Sequence, residues 1–329
     1  MSFTVAGLAR RATFTHLRHV SPVPAETAPV RVRRVYDQVE RDFGLLAPPI
    51  ALHAAAPELL AAAWCILRET LLVSGTTSRR EREAVAAAVS AANACPYCVE
   101  VHQAAVRGLG RRDAAPPSPP AVLSPELIGV AVDFHYLNRM VNVFLRDSPL
   151  AAVPAPLRGG ARSAAARLLG GLAGREAVAG QSLPLLPGTV GAVRRLPDDL
   201  RWAAGLPHVA AAMTGAAAVI EDAGQRSVPP AVRQLVRECL VDAAAPGDLA
   251  GVTDWLNSRL AGLSFGDRPT GRLAMLVAFA SYRVPDSAVA AVRAEGHDDA
   301  GLLGLAAWAA LTAARRHGDA LATAYEAAC

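Results

Sequence analysis

Apolar residues recur three and four positions apart along most of the chain, and β-branched runs with strand-like alternation are scarce. This pattern predicts a helix from Val30 to Phe43, ending near Gly44, and a second from Pro57 to Gly75. A longer apolar segment follows Ser124, which we expect to be an N-cap with Pro125 at the first helical position.

Two further helices lie between these segments. The first begins after Thr77 or Ser78, where Glu81 or Glu83 completes a loose capping box. The second opens at the sequence CPYC and continues to about residue 110, before the proline-rich break DAAPPSPP.

The second half repeats this order of elements approximately. Nearly everything after Leu200 has helical periodicity, and the segment from Pro229 aligns with that from Ser78 at a shift of 151, while the segment from Asp299 echoes the helix after Ser124. The second half lacks four polar or reactive residues of the first half. Under that shift, Glu83 aligns with Gln234, Cys95 with Pro246, Cys98 with Leu249 and His102 with Thr253. We therefore predict two tandem units, of which the second is a degenerate scaffold.

These patterns divide the chain into four parts. They are a basic N-terminal arm at 1–24, a catalytic unit at 25–150, a linker at 151–200 with a short helix in ARSAAARLLGGLAG, and the degenerate repeat at 201–329.

Composition supports an all-α protein. Of 329 residues, 52% are hydrophobic and only 5% aromatic, and the apolar content is mainly Ala, Leu and Val, of which Ala and Leu are strong helix formers. The net charge is +4, but the arginines alternate with acids and form no basic stripe, which argues against nucleic-acid binding. Without a secretory h-region or an apolar run of bilayer length, we expect a cytoplasmic protein with a loose N-terminal arm and no membrane contact.

The chain has five cysteines, and an odd number in a chain of this length does not indicate a disulfide scaffold. Cys65 and Cys239 lie within apolar helical patterns and fit small buried hydrophobes, and Cys329 ends the chain. The remaining two, Cys95 and Cys98, are three residues apart and carry the candidate chemistry.

The CPYC segment places reactive groups at a helix start. Pro96 suits the first helical position, which makes Cys95 the N-cap and puts Cys98 in the first turn, where the helix dipole favours a thiolate. His102 lies four residues after Cys98 on the same face and can pair with its thiolate or take its proton. Cys95 is placed to close a disulfide with Cys98. If the two helices form a hairpin, Glu83 comes back toward His102 and can orient its imidazole.

Other interpretations of this segment are a structural zinc site and two inert buried cysteines. Zinc would need a fourth ligand beyond Cys95, Cys98 and His102, and the neighbourhood offers no second Cys or His pair, so we assign no metal.

The spacing Glu83, eleven residues, Cys95-Pro96-Tyr97-Cys98, three residues, His102 resembles the signature of alkylhydroperoxidase D, within the carboxymuconolactone decarboxylase-like superfamily. The resemblance extends from about residue 20 to 150 and, more weakly, to the C-terminus. It implies an all-helical, oligomeric enzyme that reduces organic hydroperoxides.

By that resemblance, Cys98 attacks the peroxide, Cys95 resolves, and His102 with Glu83 relays protons. It also implies no bound cofactor but an external dithiol reductant protein, with a protein-bound lipoyl group as one candidate. Some members carry His immediately before the second cysteine, where this chain has Tyr97, so any function of that His is in doubt here.

Several polar groups lie within apolar helices and are candidates for the pocket wall. They are Tyr97 beside the second cysteine, His53, and His135 with Asn138, Arg139 and Asn142. The alternative for the histidines and asparagines is mutual hydrogen bonding within the fold, which we favour. For the whole protein, a redox-sensing or assembly module and a carboxymuconolactone decarboxylase-like lyase remain alternatives to the peroxidase.

Overall fold

The computed structural model describes residues 10–110, 118–146, 177–188, 195–242 and 249–329, together with positions 148, 160, 170 and 171. Its longer helices are α1 (Val30–Phe43), α2 (Pro57–Leu67), α3 (Arg79–Ala92), α4 (Pro96–Leu109), α5 (Pro125–Phe144), α6 (Pro207–Ser227), α7 (Pro230–Val241), α8 (Leu249–Leu260), α9 (Arg268–Ala280), α10 (Asp286–Ala294) and α11 (Asp299–Ala328). Within those ranges the only β pairing is two isolated bridges, so the all-α prediction is confirmed.

Helix ends follow the local signals in the sequence. Gly44 ends α1 in the left-handed conformation, with φ of 95°, which glycine adopts at little cost. Ser78 caps α3 in a capping box: its Oγ accepts the backbone N–H of Glu81 at 3.2 Å, and the Glu81 carboxylate accepts the N–H of Ser78 at 2.8 Å. At the N-cap of α5, the Ser124 side chain makes no capping hydrogen bond.

The second predicted helix ends earlier than Gly75. After Leu67, α2 passes into a π-helical turn, Arg68–Leu72, and ends there. Arg68 is fully buried and bonds the carboxylates of Asp42 at 2.6 Å and Glu69 at 2.7 Å. Glu69 in turn accepts the hydroxyl of Ser182 at 2.6 Å, which fixes the segment 177–188 against α2.

The described part of the predicted N-terminal arm is packed rather than loose. Arg10 pairs with Glu40 at 2.5 Å, and the hydroxyl of Thr13 donates to the carbonyl of Leu46 at 2.7 Å. The arm then pairs with the end of α5, since the N–H of Arg18 donates to the carbonyl of Phe144 at 2.8 Å. These long-range bonds, which local periodicity does not reveal, attach the described part of the arm to the first half of the chain.

The second half follows the order of the first. Helices α7 and α3 begin 151 positions apart, and α8 and α4 end 151 positions apart, while α9 and α10 are inserted before α11. Equivalent helices also pack together, α2 against α6 and α5 against α11. The correspondence supports the prediction of two tandem units. Pro246, which aligns with Cys95, lies outside the described residues. The predicted linker helix at 161–174 also lies outside them, except for positions 170 and 171.

Helix α11 runs along α5 and α6 and joins the two halves through one core. Two glycines permit its close approach: a methyl group at Gly318 would overlap Val132 of α5, and one at Gly224 of α6 would overlap the Trp308 ring. Among the described helices, none is both long and apolar enough to cross a membrane.

Candidate functional site

The dithiol lies where α3 turns into α4. Pro96 occupies the first position of α4 and Cys95 its N-cap, as predicted, although the Cys95 side chain makes no capping hydrogen bond. The turn before it is tight: Ala94 adopts φ of 47°, and the N–H of Cys95 donates to the carbonyl of Ser90 at 2.9 Å. A non-glycine residue in the left-handed region is strained, so surrounding contacts must hold this turn.

Both thiols are buried, Cys95 to 1% exposure and Cys98 to 3%, and neither is in a disulfide. The expectation of a low-pKa thiolate at Cys98 is not supported. Burial raises the pKa of Cys98 well above its ordinary value, and the neighbouring Cys95 thiol and Asp133 carboxyl raise it further. In this resting arrangement Cys98 is a protonated thiol, and the helix N-terminus alone does not ionise it.

Glu83 and His102 meet as the hairpin of α3 and α4 predicts. Glu83 Oε2 lies 2.6 Å from Nδ1 of His102, and both side chains are buried. Burial alone would raise the pKa of Glu83, but the charges of Arg79 and His102 and their hydrogen bonds lower it to about 2. The carboxylate is therefore ionised and accepts the Nδ1 proton, which leaves Nε2 of His102 as the nitrogen that can accept a proton.

Arg79 is a member of this group that the sequence analysis missed. Its Nε donates to Glu83 Oε1 at 2.9 Å, one helical turn away on α3. The i, i+4 spacing of Arg79 and Glu83 is the sequence signal that could have found it. On the other side of the imidazole, the Phe134 ring packs edge-on against His102, with centroids 4.4 Å apart.

Asp133 is a second missed residue. It is fully buried on α5, its Oδ1 has no hydrogen-bond partner among the described residues, and its negative charge, when ionised, would raise the pKa of both Cys98 and Tyr136. Burial raises the pKa of Asp133 well above its ordinary value, so the carboxyl is neutral near neutral pH. The sequence signal was a lone Asp in a long apolar helix.

Of the predicted pocket residues, Tyr97 lies beside the dithiol, whereas His53 and Asn138 are hydrogen-bonded within the helical core. Tyr97 is buried beside the dithiol, and the ring of His16 from the N-terminal segment packs edge-on against it, with centroids 5.9 Å apart. His53 is fully buried and its Nε2 lies 2.9 Å from the hydroxyl of Tyr136. Asn138 is also fully buried and accepts a hydrogen bond from Ser90 at 3.2 Å.

His135 belongs to a polar cluster around Asn93, two residues before Cys95. Its Nδ1 lies 3.0 Å from Nδ2 of Asn93, and its ring stacks on that of His317, with centroids 4.2 Å apart. The bonds of His53, His135 and Asn138 favour the structural alternative over pocket lining. The sequence alone gives His317 no partner, because the residues it contacts lie on α5, more than 170 positions away along the chain.

In the described ranges, no group of three or more His, Cys, Asp or Glu side chains is arranged to hold a metal ion. The chemistry of the arrangement therefore rests on a buried dithiol beside a histidine with an ionised carboxylate partner.

Comparison with known proteins relates the sequence of this chain to a known family. The model of the carboxymuconolactone decarboxylase family matches residues 58–114, which span α2, the CPYC turn and α4. The chain belongs to the alkylhydroperoxidase D-like proteins of this superfamily. It is 34% identical to "Alkyl hydroperoxide reductase Rv2159c" of Mycobacterium tuberculosis (strain ATCC 25618 / H37Rv), over 94% of this chain and 96% of that protein. No solved structure matches it.

Proposed function

We propose that this protein is a thiol-dependent peroxidase that reduces organic hydroperoxides through Cys95 and Cys98. Membership of the family and the name of the relative support a peroxidase-like or carboxymuconolactone decarboxylase-like function. The observation that carries the finer proposal is the buried contact between Glu83 and His102, one helical turn beyond Cys98 on α4. A lyase on the same fold has no need of two cysteines.

The first half of the proposed cycle oxidises Cys98. Its Sγ forms a bond to the terminal oxygen of the hydroperoxide as the O–O bond breaks, which gives a sulfenic acid. The thiol proton passes through Nε2 of His102 to the departing alkoxide, which leaves as alcohol. Because no hydrogen bond joins Cys98 to His102 in the described part of the chain, we propose that water or the bound substrate bridges the two groups.

The second half restores the thiols. Cys95 Sγ displaces the hydroxyl group of the sulfenic acid, its proton leaves with that group as water, and a Cys95–Cys98 disulfide forms. An external dithiol then reduces this disulfide by exchange and is itself oxidised. We propose a dithiol reductant protein, with a lipoyl group as one candidate carrier, in a reducing cytoplasm, and a homo-oligomeric enzyme.

A redox-sensing module is the second candidate, because a buried Cys95–Cys98 pair can also be oxidised once without turnover. Both functions begin with attack by the Cys98 thiolate, so in both the raised pKa of Cys98 slows the first step unless His102 takes the proton as the peroxide arrives. In a sensor, the Cys95–Cys98 pair would be oxidised once and stay a disulfide, whereas an enzyme would consume many equivalents of hydroperoxide.

The test is consumption of cumene hydroperoxide by the reduced protein with dihydrolipoamide in excess. We expect multiple turnovers, none in Cys98→Ser, and a rate about 100-fold lower in Glu83→Gln, because the imidazole loses its oriented, proton-accepting state. Cys329→Ser, at the exposed C-terminus, is the matched control and should keep the wild-type rate.

The outcomes separate the candidates. One equivalent of hydroperoxide consumed, followed by a disulfide that dihydrolipoamide cannot reduce, would establish the sensor instead. Full activity in Glu83→Gln would eliminate the relay, and no consumption by the wild-type protein would eliminate the peroxidase.

A further inference from the structure

The turn that carries Cys95 is anchored by a cluster of polar side chains from both halves of the chain. Asn93 is the centre of this anchor. Its side chain donates to the carbonyl of Val89 at 2.9 Å and accepts from Nη1 of Arg139 at 2.8 Å, while its own carbonyl accepts from Nδ2 of Asn142 at 3.0 Å. Asn93 thus has little freedom to move, and the strained Ala94 follows it directly.

Arg139 is the hub of the cluster. It is 6% exposed, and among the described residues no carboxylate lies within salt-bridge distance of it. Its guanidinium donates instead to neutral acceptors: the Asn93 side chain, the carbonyl of His135 at 2.7 Å and the carbonyl of Ala278 on α9 at 3.2 Å. A buried arginine without a counter-ion is costly, which makes each of these acceptors important.

His317 completes the shell of acceptors from the second half. Its Nε2 accepts from Nη2 of Arg139 at 3.2 Å, and its ring lies flat on His135, 11° from parallel, while the residue is otherwise exposed to solvent. Because Nε2 accepts from a cation, His317 is neutral in this arrangement. Partial burial and the charge of Arg139 lower the pKa of His317, which keeps it neutral at physiological pH.

We propose that Arg139 and His317 are positioning residues for the resolving cysteine, holding the turn of Asn93 and Ala94 so that Cys95 stays within reach of Cys98. The proposal rests on the dithiol cycle above and gives the degenerate half a direct influence on it. Neither residue touches the reacting sulfur atoms. Both act through Asn93, so they should affect formation of the disulfide more than the attack of Cys98 on peroxide.

The experiment is a single turnover of the reduced full-length protein with one equivalent of cumene hydroperoxide in the presence of dimedone. Mass spectrometry measures how the Cys98 sulfenic acid divides between the dimedone adduct and the Cys95–Cys98 disulfide. His317→Leu fills the same space without an acceptor, and we expect disulfide formation to slow about fivefold, the effect of one modest hydrogen bond. The rate of hydroperoxide loss should stay within twofold of wild type.

Three further variants make the test specific. His317→Gln restores an acceptor and should recover most of the disulfide rate. His208→Leu, a half-exposed histidine of α6 outside the cluster, should behave as wild type. Arg139→Gln should slow the disulfide step more than His317→Leu, and adding His317→Leu to it should have no further effect, because His317 acts through Arg139.

A second measurement tests the positioning proposal without requiring peroxidase activity. The effective concentration of the Cys95–Cys98 pair against glutathione needs no hydroperoxide, and it should fall about fivefold in His317→Leu and recover in His317→Gln. Even if the wild-type protein consumes no hydroperoxide, this measurement still tests whether His317 helps to position Cys95. Effective concentrations of both variants within twofold of wild type, or an equal decrease in His208→Leu, would overturn the positioning proposal.

Discussion

Asp133 and Thr70 form an uneven hydrogen-bonded pair next to the dithiol. The Thr70 hydroxyl lies 2.9 Å from the carbonyl of Ile66 and 3.4 Å from Asp133 Oδ2, and its single proton can be donated to only one of these acceptors at a time. With Oδ1 unpartnered in the described structure, an ionised Asp133 would be a buried charge without compensation. Geometry and burial therefore agree that the acid is neutral.

This neutrality predicts a specific dependence of stability on pH. The folded protein binds the Asp133 proton more tightly than the unfolded chain does, because burial raises the folded-state pKa of Asp133. Its contribution to stability is therefore lost as pH rises from about 3.9, the unfolded value, toward the raised value, by up to about 1.4 kcal/mol per pH unit. Asp133→Asn has no such proton, so its free energy of unfolding relative to wild type should increase across that interval.

Urea unfolding of both proteins at pH 5, 6 and 7 measures this difference in unfolding free energy. The titrations of all other groups contribute equally to both proteins and cancel in the difference. Asp254→Asn removes an exposed carboxylate of α8 and serves as the control against which the pH dependence of Asp133→Asn is judged. A difference for Asp133→Asn that stays constant from pH 5 to 7 would show that Asp133 is ionised in the folded protein.

At the scale of the elements, two serines at N-cap positions differ in what they contribute. The side chain of Ser78 closes a capping box on α3, the helix that carries Glu83, whereas the Oγ of Ser124 is buried and has no partner in the described part of the chain. Ser78→Ala should lower the free energy of unfolding by about 1 kcal/mol, and Ser124→Ala by clearly less. Chemical denaturation of the two variants measures this, and equal losses would contradict the capping geometry.

The same pair of serines shows what a sequence can determine. Pro125 and the apolar run after it locate the start of α5 correctly, because those preferences belong to the local backbone. The capping box at Ser78 was visible in the sequence, because Glu81 follows it three residues later. Ser124 has Leu127 at that position, and nothing in the local sequence shows whether its side chain bonds the free N–H groups of α5. The Glu83–His102 pairing was predictable because both residues lie on adjacent arms of one hairpin.

Contacts between distant segments account for what the sequence could not predict. The π-helical end of α2 depends on a buried ion cluster that Arg68 forms with Asp42 and Glu69, and the packed N-terminal segment depends on bonds to α5. Likewise, His317 meets Arg139 only because α11 lies along α5. None of these contacts leaves a periodic signal in one sequence.

At the scale of the whole molecule, the two halves are coupled by the close approach of α11 to α5 and α6. Gly318 is adjacent to His317 and faces Val132, whereas Gly224 faces Trp308, more than two helical turns from His317. Adding a methyl group at either site forces the helices apart, and each should cost about 1 to 3 kcal/mol of unfolding free energy. Stability alone therefore should not distinguish Gly318→Ala from Gly224→Ala.

The disulfide step should distinguish them. Displacing α11 at Gly318 moves His317 away from Arg139 and loosens the Asn93 turn, so Gly318→Ala should raise the dimedone-trapped fraction of Cys98 as His317→Leu does. Gly224→Ala leaves that end of α11 in place, and its trapped fraction should equal that of the wild type at matched stability. A trapped fraction that follows unfolding free energy in both variants would mean that the second half supports the site only through general stability, and that α11 has no specific effect on Cys95.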